Sequence, residues 1–140
     1  MKTAVLAVVA VLAGLLVSFL VVIAVEAFSS VVHPVPEGFG GTREEMHQHV
    51  ERIPPWVLAV GVAGWAFGAF AATWTAQKIG NFYSAAIVGL LLLTAVVFNI
   101  SMLPYPVWFK IVILLAIPTA LVAGSRLAMG RKATATVVAT

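Results

Sequence analysis

Four stretches of this chain are long enough and apolar enough to cross a bilayer, and that restricts the fold more than any motif does. Ala4 to Val25, Trp56 to Ala76 and Ser84 to Leu103 hold no charged residue, and Val107 to Ser125 holds only Lys110. Bilayer hydrocarbon is about 30 Å thick and takes roughly 20 apolar residues per spanning helix, so each stretch is read as one span. With 62% hydrophobic and 9% charged residues among 140, one small soluble core could not enclose the apolar surface. Lipid is the required solvent. The expected fold is all-α: a four-transmembrane-helix bundle in which residues 1–140 form a single integral membrane domain, with spans at about 4–25, 56–76, 84–103 and 107–125.

All five acidic residues and all three histidines lie between Glu26 and Glu51, in the first loop. Pro34, Pro36, Gly38, Gly40 and Gly41 make its first part a turn, and His33-Pro34 stops any continuation of the first helix through Phe28 and Val32. A short helix is expected over about 42–53. Thr42 followed by Glu45 is a capping box, in which each side chain takes up the other residue's unpaired backbone N–H. Met46, Val50 and Ile53 then share one face, while Glu44, His47, Gln48 and Glu51 share another, so the helix is amphipathic and should lie on the bilayer surface or across the span ends. Pro54-Pro55 ends it.

With four spans both termini share a side. That side collects Lys2, Lys78, Arg126, Arg131 and Lys132, against Arg43, Arg52 and Lys110 opposite. The positive-inside rule therefore places both termini in the cytoplasm of a cell with its spans in the inner (plasma) membrane, and turns the Glu/His loop outward. Lys2 before an apolar run also resembles a signal peptide, with Val25 and Ala27 as small residues for cleavage, but a secretory apolar region is typically about 7–15 residues and this run is far longer. It is read as an uncleaved first span. Arg131 to Thr140 has no clear period and is expected to be loosely ordered.

Within the spans, small residues recur at helical spacing. Gly64, Gly68 and Ala72 form one stripe, and Ala120, Gly124 and Ala128 another, each of which lets a second helix approach closely. Spacing alone leaves open whether that helix belongs to the same chain. Trp56 and Trp74 bracket the second span, Gln77 to Tyr83 reads as a turn, and Pro118 should kink the fourth span.

Few residues could carry chemistry. Glu26, at the end of the first span, is costly to ionise in lipid, and Asn99, near the same end of the third, is its natural hydrogen-bond partner. The alternative is that Glu26 already sits among headgroups as the first residue of the loop. Glu44, His47 and Glu51 are spaced three and four apart and could converge on a divalent cation. A solvated polar face accounts for the same residues, and His47 and His49 point about 200° apart on a helix, unlike a paired-histidine zinc motif. Cysteine is absent, which excludes disulfides and thiolate chemistry, and there is no phosphate loop or Ser-His-Asp constellation. The net charge of +3 is scattered over span ends and forms no stripe for nucleic acid.

Glu26, His33-Pro34-x-Pro36, Pro54-Pro55 and Trp65-x-x-Gly68 together resemble a group of small, four-span bacterial membrane proteins known only as uncharacterised. The resemblance covers the first half of the chain and implies no activity. Small multidrug-resistance exporters also have four spans and a glutamate in the first, but their compact loops and mid-span glutamate are not matched. The expected function is non-catalytic: an accessory, scaffolding or regulatory membrane subunit, partnered by the lipid bilayer and by itself or other membrane proteins through its small-residue faces, with no cofactor. The alternatives are a small transporter or channel using Glu26 and Asn99 and, third, a metal-dependent membrane enzyme.

Overall fold

In a computed structural model that describes residues 2–138, with side chains for 3–130, the chain forms five helices and, among the described residues, no strand. These are α1 (Lys2–Val32), α2 (Arg43–Glu51), α3 (Pro55–Ile79), α4 (Phe82–Met102) and α5 (Val107–Val138). α1, α3, α4 and the Val107–Gly130 part of α5 are the four helices long and apolar enough to cross a membrane.

Several boundaries differ from the sequence reading because charge ends a span but does not end a helix. α1 extends beyond the span through Glu26 to Val32, the continuation up to His33-Pro34 that the sequence allowed, and the His33 N–H still donates to the Ser29 carbonyl before Pro34 intervenes. The segment expected as a turn from Gln77 onward is shorter: α3 includes Gln77 and Lys78, and Asn81 already caps α4 by accepting from the Tyr83 and Ser84 backbone N–H groups. α5 continues past Ser125 to Val138 with Pro118 inside it, so the tail begins on a helix; residues 139–140 lie outside the described residues.

α3 is the hub. α1 and α5 each pack along it with no close backbone approach to one another among the described residues, while α4 contacts all three. One apolar core, including Leu58, Ala69, Phe109, Ile113 and Ile117, fills the α3–α4–α5 junction, and Ala72, Ala76, Ala85 and Val88 fill a second at α1–α3–α4.

The small-residue stripes lie inside the chain. Val25 and Val21 of α1 sit over Gly64 and Gly68 of α3, and Gly14 sits over the Ala72 carbonyl, so Gly64, Gly68 and Ala72 seat α1. On the other side Gly124 of α5 rests on the Phe70 carbonyl and Thr73, one turn from Ala120, which packs against the core. The Thr73 hydroxyl lies 3.0 Å from the Leu121 carbonyl and the Ser125 hydroxyl donates to Gln77 Oε1 at 3.2 Å, both buried. Close backbone approach and buried hydrogen bonds hold helices together where lipid supplies no hydrophobic drive.

Candidate functional site

The Glu/His loop lies over one end of the bundle, held by two histidine hydrogen bonds, by buried Val50 and by Ile53, which packs against the apolar core. The Thr42–Glu45 capping box forms as the sequence predicts: the Thr42 N–H and hydroxyl donate to Glu45 Oε2 at 3.0 and 2.9 Å, and Glu45 N–H donates back to the hydroxyl at 3.3 Å. The Thr42 backbone N–H, then its hydroxyl, hold the Glu45 carboxyl below the usual carboxylate range. Val50 is the buried residue of α2, and Met46 beside it is exposed.

His47 was expected on the solvated face with Glu44, Gln48 and Glu51, but it is half-buried and turned toward the bundle. Its Nε2 lies 3.3 Å from the Met102 carbonyl, among the last of α4, and because a carbonyl can only accept, Nε2 carries the proton. By the same logic His33 Nε2–H donates to the His49 carbonyl at 3.3 Å, and the two rings stack at 4.5 Å. Burial, and then the neighbouring His33, push the His49 imidazole below its usual range. Glu44 meets Gln48, whose amide donates to it at 3.3 Å, and Glu51 is exposed. Among the described residues no three His, Asp or Glu side chains are gathered in a way that would hold a metal ion.

Beneath this platform lie two cavities. Glu26, Ser29, Tyr105 and Phe109 line a small one of about 60 Å³. The Tyr105 ring stacks on Phe109 at 4.5 Å, and burial, followed by the Glu26 charge, pushes its phenol up to about 12. The second, of about 190 Å³, is bounded by all four long helices: Ser18 of α1, Trp65 and Ala69 of α3, Leu92 and Asn99 of α4, and Ile117 of α5. Trp65 lines both. Glu26 lines the smaller cavity and Asn99 the larger, and among the described residues no hydrogen bond joins the two.

Among the described residues, three buried side-chain polar atoms lack a hydrogen bond: Trp65 Nε1, Ser84 Oγ and Asn99 Oδ1. Two of the three belong to walls of the larger cavity. Sequence reasoning singled out Asn99 but passed over Trp65, quoted only in the Trp65-x-x-Gly68 motif of the resemblance, and over Tyr105, Thr73 and Gln77. A tryptophan at mid-span, away from the interfacial belt, was the available signal.

No protein-family model, curated protein or solved structure matches the chain. The site is therefore read from its own geometry.

Proposed function

We propose that this chain is a non-catalytic accessory subunit of the inner (plasma) membrane, with both termini cytoplasmic, that presents α2 to a partner outside the bilayer. The observation that carries this reading is the division of labour on α2. His33, His47 and His49 tie the helix and its lead-in to the bundle, and Val50 is buried, while Glu44, Gln48 and Glu51 remain exposed on a capped, defined element. A charged surface held in register by buried Val50 and by half-buried histidines suits recognition better than it suits chemistry, because every histidine here makes a structural contact. The test is copurification in mild detergent of wild type and of a Glu44→Ala, Gln48→Ala, Glu51→Ala variant. The reading expects a partner retained by wild type and lost from a variant that melts at the same temperature. A wild-type chain that purifies alone under every mild extraction would overturn it.

A second reading, a small transporter, draws on Trp65 being the shared wall of the Glu26 and Asn99 cavities. Passage from one to the other would require the indole to swing aside.

A further inference from the structure

A carboxylate without a counter-ion lines the smaller cavity. Glu26 is exposed, and among the described residues no side chain pairs with it, although Arg43, Arg52 and Lys110 belong to the same end of the bundle. Ser29, one turn further along α1, and Tyr105, in the α4–α5 connection, line the same space. Neither hydroxyl has a hydrogen-bond partner among the described residues, and neither is sealed from solvent. The Glu26 charge is felt by the Tyr105 phenol, so the two groups stand close enough to interact. Three acceptor groups therefore line one partly open hollow, and the described chain supplies no donor to them.

The hollow exists because a side chain is missing. Val57, Leu58, Gly61 and Trp65, spaced three and four apart, form its α3 wall, and at the centre of that wall a Cβ on Gly61 would meet nothing within 4 Å. The room left, about 60 Å³, equals roughly two waters' share of liquid volume. That admits an ammonium with its first methylene but not a trimethylammonium. Much of the remaining wall is aromatic, from Phe28, Tyr105 and Phe109, and aromatic rings attract organic cations.

We propose that this hollow binds a primary ammonium group, from an aminophospholipid headgroup or from a free alkylamine, with the ammonium against Glu26 and its stem toward the open side. A primary ammonium carries three donors on a compact charge, which suits a carboxylate flanked by two hydroxyls. Glu44, Gln48 and Glu51 of α2 do not line the hollow, so the partner role proposed above is independent of it.

The test uses the full chain in phosphatidylcholine nanodiscs at neutral pH, with ethylammonium chloride as the probe and tetramethylammonium chloride and sodium chloride as controls. Melting temperature should rise saturably with ethylammonium, at an apparent affinity at least about tenfold tighter than for either control, because only the primary ammonium combines fit with three donors. Glu26→Gln, which keeps the shape and removes the charge, should abolish the rise. So should Gly61→Leu, which fills the hollow, leaves Glu26 in place, and meets no neighbour within 4 Å of its Cβ. That variant serves as the second measurement should Glu26→Gln not fold. Nanodiscs of phosphatidylethanolamine with the same acyl chains identify the source: if they abolish the wild-type response to ethylammonium, the headgroup holds the site, and if the response persists, the site takes a free amine. No rise with ethylammonium, a rise that does not saturate, one shared equally by tetramethylammonium or sodium, or one that survives either substitution would each overturn the proposal.

Discussion

Val25 of α1 sits directly over Gly64 of α3, so closely that a Cβ on the glycine would collide with a valine methyl. One turn along each helix, Val21 covers Gly68 at 3.3 Å from where its Cβ would stand. The seam between α1 and α3 is therefore built on absent side chains.

Replacing Gly64 with leucine should force α1 away from α3, and overpacking of this kind costs about 1–3 kcal/mol. Gly64→Ala should show part of that loss, and Val25→Ala should relieve it. A double-mutant cycle on melting temperature in detergent reads the coupling; additive effects would mean that the two residues do not touch.

Gly124 and Gly61 make a matched pair. A Cβ at Gly124 would meet the Phe70 carbonyl oxygen, and Thr73 Oγ1 at 2.5 Å, whereas one at Gly61 meets nothing within 4 Å. Gly124→Ala should destabilise the α3–α5 contact, because a backbone carbonyl cannot step aside. Gly61→Ala should stabilise the helix by about 0.5–1 kcal/mol, the ordinary difference between the two residues in a helix interior. Melting temperatures that move in the same direction for both would contradict this assignment.

The platform formed by α2 should loosen in mild acid. His49 is held below its ordinary value of 6.5 in the folded chain, so the unfolded chain binds more protons as pH falls through that value. Stability of α2 is thus unaffected above the unfolded value and declines as pH drops from it toward the folded one. Hydrogen exchange at the Val50 amide should accelerate over that window in wild type. His49→Phe, which keeps an aromatic ring against His33 and Phe39, should flatten the response.

Tyr105 offers an optical reading of Glu26. Its phenol is pushed up to about 12 by burial first and by the Glu26 charge second. In a Tyr83→Phe background, absorbance titration of Tyr105 should shift downward on Glu26→Gln, because the second cause is removed and the first remains. An unmoved titration would place Glu26 away from the ring.

Orientation can be checked with impermeant thiol reagents on a chain that has no native cysteine. A cysteine at Glu44, which leaves the Thr42–Glu45 cap intact, should label in intact cells, and one at Lys78 should label only after lysis. The reverse pattern would invert the topology read from the basic residues.

What the amino-acid order determined by itself was local. Span lengths follow from apolar runs, the start of α2 from Thr42 and Glu45 three residues apart, and the stop of α1 from His33-Pro34, all within a turn or two of chain. The small-residue stripes were equally legible as surfaces for close approach. Tertiary structure alone decided what approached: Val25 over Gly64, Gly124 over Phe70, and His47 turned from the solvated face onto Met102. It also decided that Trp65 and Asn99 share one cavity while Glu26 stands in another. The reason is that lipid and a neighbouring helix are both apolar. A spanning helix is therefore hydrophobic all round, and its sequence carries no amphipathic contrast to say which face turns inward. Rotation about each helix axis is set by which side chains fit together, and that information exists only once the four helices are packed.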